Sequence, residues 1–243
     1  MNSQVNKRLN SRLEELYANN NDAFVKLHND YYDDKLPRIN EFGIIDENVY
    51  DAENGILIIG KETNWWDDVD FHENILFRTW IRDISRTGLP QELQANGKKH
   101  HITRHPQMWY NIGRWISYCD QIIKNQNWAF DDILAKPHCD LIKEIGKCAF
   151  TNVNKGRGYE TSRDMFWELV QHNELPKHII EQEINVIQPR IVIFCGVACL
   201  FDALVQRDKA RVYLDLPHPA ARKKTQLFLE EIKNQLNAHK HHL

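Results

Sequence analysis

The residues of this chain best suited to chemistry stand just beyond short apolar runs. Gly55-Ile56-Leu57-Ile58-Ile59-Gly60 is followed by Lys61-Glu62-Thr63-Asn64-Trp65-Trp66. Phe150-Thr151-Asn152 leads into Val153-Asn154-Lys155-Gly156-Arg157-Gly158, and Arg190-Ile191-Val192-Ile193-Phe194-Cys195 into Gly196-Val197-Ala198. A last run ends in Asp215-Leu216-Pro217-His218-Pro219-Ala220-Ala221-Arg222. An acid, two amides, an imidazole and several aromatic rings therefore follow four separate segments. A side-chain amide donates and accepts at once, and a ring offers a stacking face. Gathered at one place, such groups suit a planar ligand.

They gather only if the segments are strands of one sheet. The glycine-bounded, β-branched run at 55–60 has the pattern of a strand buried on both faces, and 147–152, 190–195 and 211–214 are three further strand candidates, of which 190–195 is the clearest because it follows Pro189 and stops at Gly196. Helical spacing predicts two N-terminal helices between residues 5 and 35, separated by Asn19-Asn20-Asn21-Asp22, and helices near 72–86, 107–124, 162–172, 176–187, 198–207 and 220–236. A polar basic loop is expected at 94–105, and Pro137 breaks the helical region after 124. Strands alternating with helices predict an α/β fold, a three-layer α/β/α arrangement with a central four-stranded parallel sheet. In such a sheet the ligand site lies beyond the carboxyl ends of the strands. No repeat or linker divides the 243 residues, so a single domain is expected, with residues 1–36 packed on it as a helical extension.

Composition narrows the function. A net charge of −3 excludes binding of polyanions by bulk charge, although local basic patches remain. No apolar run approaches the length of a membrane span, and the N-terminus lacks a signal peptide's apolar core, so a cytoplasmic protein is expected. Five cysteines, Cys119, Cys139, Cys148, Cys195 and Cys199, include no Cys-x-x-Cys pair and read as buried thiols.

Three blocks resemble the uracil-DNA glycosylase superfamily, in that family's order and at similar separations. Gly60-Lys61-Glu62-Thr63-Asn64 stands where classical members carry Gly-Gln-Asp-Pro-Tyr. Lys147-Cys148-Ala149-Phe150-Thr151-Asn152 resembles the second strand, which ends in a base-recognising Asn, and His218-Pro219-Ala220-Ala221 resembles the closing His-Pro-Ser motif. The resemblance implies a monofunctional enzyme that flips a pyrimidine out of DNA and hydrolyses its N-glycosidic bond. It gives Glu62 the attacking water and the stabilisation of a cationic sugar, Asn152 the edge of the base, and His218 the departing base oxygen. Lys61, Asn64, Trp65, Trp66 and Phe71 are the further residues expected around the base, with Phe77 another possible stacking ring.

Three departures carry meaning. The family's Tyr that excludes thymine is Asn64 here, which implies a pocket tolerant of a substituent at C5. Glu62 is one methylene longer than the family's Asp, and the Ser after His-Pro is Ala220, which removes one phosphate contact. DNA-backbone contacts are therefore expected from Lys155, Arg157, Arg222 and Lys223, with Lys224 beside them at the start of a helix. Lys98, Lys99, His100, His101, Arg104 and His105 form another basic cluster, but no Cys or carboxylate accompanies its histidines, and neither a metal nor a cofactor is expected. His239, His241 and His242 read as a disordered tail.

The expected partner is single- or double-stranded DNA, with no membrane association and a monomeric state. Base repair and defence against phage with modified DNA both suit such an enzyme. The alternatives are a module that binds modified bases without catalysis, and an N-glycosidase acting on nucleosides or nucleotides.

Overall fold

The apolar runs pair as a sheet whose central strands are buried throughout. The computed structural model describes residues 2–31, 38–61, 63–64, 77–88, 94–95, 98–99, 106–124, 130–158, 163–221 and 224–239, and structural statements concern these. The strands are β1 (Gly43–Ile44), β2 (Ile56–Gly60), β3 (Thr63–Asn64), β4 (Gln94–Ala95), β5 (Lys98–Lys99), β6 (Cys148–Asn152), β7 (Arg157–Gly158), β8 (Ile191–Cys195) and β9 (Val212–Leu216). The helices are α1 (Asn2–Tyr31), α2 (Phe77–Thr87), α3 (Pro106–Ile123), α4 (Phe130–Leu134), α5 (His138–Glu144), α6 (Arg163–Gln171), α7 (Glu174–Ile187), α8 (Ala198–Asp202) and α9 (Thr225–Ala238).

The protein is mixed α/β with a mostly parallel sheet in the order β1-β6-β2-β8-β9. Ile56 lies opposite both Cys148 and Ile191, and Ile191 opposite Val212, so β6, β2, β8 and β9 run in one direction. β1 is antiparallel to β6, with Gly43 opposite Phe150, and makes five strands where four were expected. Two residues carry no readable alternation. What holds them is a side chain: Asn10 of α1 donates to the Ile44 carbonyl at 3.0 Å and accepts from the Ile44 N–H at 3.0 Å. The amide thereby covers the open edge as a further strand would.

A single helix replaces the two expected at the N-terminus. Asn6, Asn10, Leu13, Tyr17, Phe24 and His28 are all buried, and their spacing puts them on one face of α1. The polar stretch at 19–22 does not break it, because Asn20 donates to the Leu16 carbonyl at 2.8 Å and Asn21 accepts from the Ile39 N–H at 3.0 Å. The helix expected at 198–207 stops at Asp202, and the last helix starts at Thr225 rather than 220 because His218–Ala221 forms a turn, Ala221 N–H to His218 carbonyl at 2.8 Å. Residues of the basic loop pair as β4 and β5. Pro137 separates α4 from α5 as expected.

The helices pack in two sets. α1 lies on α6 and α7, while α3 lies on α4, α5 and α9, with α2 on α5. Cys119, Cys148 and Cys195 are buried, but Cys139 and Cys199 are exposed, against the expectation that all five are core thiols. Their helices are short and present those positions to solvent. Burial pushes the Cys195 thiol up to about 12 and those of Cys119 and Cys148 higher, so these three are not nucleophiles near neutral pH.

Ile193 stands in β8 between β2 and β9 and is fully buried. Ile193→Ala is expected to cost about 2–5 kcal/mol, read as a lower urea midpoint, because neighbours on both flanks are held by sheet hydrogen bonds and cannot collapse into the gap.

Candidate functional site

The carboxyl ends of the four parallel strands form one rim. Across it the order is Asn152, Gly60, Gly196 and then His218, each just at or beyond the end of its strand. The two outer strands are three strand intervals apart, roughly 14 Å at the usual spacing. Both inner positions are glycines, and each admits its outer neighbour.

Gly60 lies opposite Asn152 in the ladder. A Cβ built on Gly60 would fall on the Asn152 Oδ1, so the amide leans inward over the glycine. Phe150, two residues back and therefore on the same face, brings its ring tip to 3.5 Å from that position. Asn152 is 4% exposed, so its amide sits where water competes little for its hydrogen bonds. At the other end, Gly196 has φ +72° and donates to the Leu216 carbonyl at 2.7 Å. A Cβ there would stand 3.0 Å from the His218 N, which is how closely the third strand's loop meets the fourth's.

His218 is exposed and its turn is fastened at two points. The Ala220 N–H donates to the imidazole Nδ1 at 3.2 Å, so the neutral ring carries its proton on Nε2. Asn111 of α3 donates to the Pro219 carbonyl at 2.8 Å, and accepts at Oδ1 from Gln107 at 3.0 Å and Arg114 at 3.3 Å. Arg114 is 7% exposed, and among the described residues its Nε has no hydrogen-bond partner and no carboxylate pairs with it. Burial alone lowers its pKa. A guanidinium left this way, one helical turn from the residue that pins the His-Pro turn, adds positive potential behind the rim.

The loops after β2 and β6 continue side by side. Val153 N–H donates to the Gly60 carbonyl at 2.9 Å and Asn154 N–H to the Lys61 carbonyl at 2.8 Å. β3 then pairs with β7, Thr63 opposite Arg157 and Asn64 opposite Gly158. The structure thus brings together Lys61, Asn64, Asn152 and Arg157 at one end of the rim, with Lys61 partly exposed, and His218 at the other. Glu62, Trp65, Trp66, Phe71, Arg222 and Lys223 lie outside the described residues, as do His100, His101, Arg104, His105, His241 and His242. Phe77 opens α2, and Ala220 is exposed in the turn.

Lys155 requires a correction. It was expected on a DNA phosphate, but it is fully buried. Its Nζ donates to Glu183 Oε2 at 2.6 Å, to Thr151 Oγ1 at 2.5 Å and to the Asn152 carbonyl at 2.5 Å. No part of it reaches the surface, so it cannot touch a phosphate. The flanking glycine did not signal exposure: Gly156 is small because the His28 ring occupies the place a Cβ would take.

The groups that sequence reasoning missed are those that hold the others. Asn111, Arg114 and Glu183 belong to helices whose remaining buried positions are mostly apolar, and a polar residue on such a stripe is the signal that was available; Tyr17 shares its buried face of α1 with Asn6, Asn10 and His28, and nothing in that pattern sets it apart. Among the described residues no group of three or more His, Cys, Asp or Glu could hold a metal ion. No helix among them is long and apolar enough to cross a membrane. No family model, curated protein or solved structure matches the chain.

Gly196→Ala forces a side chain into left-handed backbone against the His218 main chain. A loss of about 1–3 kcal/mol in urea unfolding is expected, together with shifted ring-proton resonances for His218.

Proposed function

We propose that the protein is a monofunctional DNA glycosylase, a divergent member of the uracil-DNA glycosylase superfamily, acting on uracil or a C5-modified pyrimidine. The proposal includes a helical layer on each face of the sheet and one domain. The observation that carries it is the rim: an inward-leaning buried amide at Asn152 and a tautomerically fixed imidazole at His218, separated by two glycines. In the sequence Glu62 follows β2, one of the two strands between those that lead to Asn152 and His218.

A flipped pyrimidine would lie over the glycines, its edge on the Asn152 amide, which matches one acceptor and one donor at once. Glu62 would orient a water towards C1′ and stabilise positive charge on the sugar. As the glycosidic bond breaks, its electron pair goes to N1 of the base and negative charge spreads to the adjacent carbonyl oxygen, O2. A proton on His218 Nε2, the position left by the Ala220 contact at Nδ1, would donate to that oxygen. The water's hydroxyl joins C1′ and its proton passes to Glu62. Trp65, Trp66 or Phe71 supplies the stacking face in this scheme, and Arg157, Arg222 and Lys223 the phosphate contacts. Asn64 in place of a Tyr leaves room for a C5 substituent.

Oligonucleotides carrying uracil, thymine opposite guanine or 5-hydroxymethyluracil, followed by alkaline cleavage of abasic sites, test the scheme. Base release is expected, with Glu62→Gln and Asn152→Ala each slower by about 10²–10⁴-fold in single turnover. Gly60→Ala, which drives a methyl into the Asn152 amide, is expected to fall in the same direction. Absence of abasic product on every substrate overturns the proposal. In that case, salt-sensitive DNA binding would favour a non-catalytic binding module, and base release from free nucleosides a small-molecule hydrolase.

A further inference from the structure

Behind the amide at the rim lies a charge pair that the proposed chemistry does not use. Lys155 and Glu183 are both fully buried, 2.6 Å apart. The ammonium spends its three protons on Glu183, Thr151 and the Asn152 carbonyl. Glu183 Oε2 also accepts from the Thr151 hydroxyl at 2.9 Å, and its Oε1 accepts a short bond from the Tyr17 hydroxyl. The Phe42 ring lies 5.3 Å from the ammonium. Burial together with the Glu183 charge raises the Tyr17 pKa, and burial lowers that of Lys155, as expected for groups closed off from water.

Stability alone is a poor reason for such a pair, since an apolar pair of similar volume often serves as well or better. Its position suggests another. Asn152 is the last residue of β6, where the strand gives way to a loop. Its carbonyl is held by the ammonium, the next two residues are tied to the Gly60 and Lys61 carbonyls, and its side chain rests over Gly60. The residues around Lys155 are fastened in turn: Asn40 N–H donates to the Lys155 carbonyl at 2.9 Å, and Asn154 Oδ1 accepts from the Gly156 N–H at 2.9 Å.

We propose that Lys155, Glu183 and Tyr17 are positioning residues that fix the direction of the Asn152 amide, so that the N-terminal helix is part of the site rather than an extension of it. This rests on Asn152 being the group that reads the base. The ammonium replaces the hydrogen-bond donor that a strand end lacks, Glu183 neutralises it, and Tyr17 turns the carboxylate so that one oxygen faces Lys155 and Thr151.

The double variant Lys155→Met with Glu183→Gln removes both charges together and leaves Tyr17 and Thr151 an amide to bond. Three readouts apply to the full chain. Cooperative thermal unfolding reports whether it folds. The side-chain amide resonances of Asn152, identified by their disappearance in Asn152→Asp, are expected to shift or broaden. Single-turnover base release is expected to fall about 10- to 100-fold while affinity for uracil-containing DNA stays within about threefold, since misdirection acts on the reacting geometry and not on backbone contacts. Unchanged Asn152 resonances in a folded double variant overturn the proposal, as does an undiminished rate. If the double variant does not fold, Tyr17→Phe, which keeps the charge pair, is expected to shift the same resonances, and no shift overturns it. Should the wild-type protein release no base, the glycosylase reading falls, while the resonances still decide whether the network positions the amide.

Discussion

A buried ammonium has to find its counter-charge and three acceptors without water, and Lys155 finds them all in a space shared by α1, the end of β6 and α7. That requirement ties together segments far apart in the chain. Tyr17 must lie where Glu183 can accept from it, and α7 must lie where Glu183 reaches Thr151. Each contact is satisfied only when the others are, so helix docking and the conformation of the loop after β6 form one cooperative unit. The last residue of β6, just before that loop, carries the amide that faces the rim.

The rim itself depends on what two residues lack. Side chains at 60 and 196 would occupy the space into which Asn152 leans and against which the His218 main chain rests. With glycine at both, the Asn152 amide and the His218 main chain approach the middle of the sheet while the parallel ladder beneath stays unbroken. Asn111 serves the fourth loop as Lys155 serves the second, by occupying a carbonyl that the strand pattern leaves unpaired. Rigid sheet below and fastened loops above are what a site for a small planar group requires, since loss of a few tenths of an ångström at either end would spoil paired hydrogen bonds.

Much of this was legible in the residues. The strands β2 and β8 follow directly from apolar runs, one between two glycines and one between Pro189 and Gly196, and burial on both faces is why those runs show no alternation. β1 was not legible, because on the edge away from β6 its partner is the side chain of Asn10 and a two-residue strand has no periodicity. The break expected at residues 19–22 failed for a related reason: asparagines disfavour helices in isolation, but here Asn20 and Asn21 bond back to the helix and across to Ile39. At the site, the positions of Asn152 and His218 followed from strand ends alone. Lys155 did not. A lysine between an asparagine and a glycine reads as a solvated loop residue, and only Glu183, a carboxylate among Ile179, Ile180, Ile184 and Ile187, hinted that a buried cation must exist somewhere. Nothing in sequence separation says which cation, and the pairing is a tertiary fact.

In the proposed reading the space between Asn152 and His218 receives one extruded pyrimidine. That placement is tested most directly by a crystal structure of the protein with a DNA duplex containing a single uracil nucleotide whose glycosidic bond resists hydrolysis. The uracil is expected outside the helical stack, its edge within about 3 Å of the Asn152 amide and its O2 carbonyl oxygen facing the His218 imidazole. A uracil still stacked in the duplex, or extruded into a place where it meets neither residue, would contradict it.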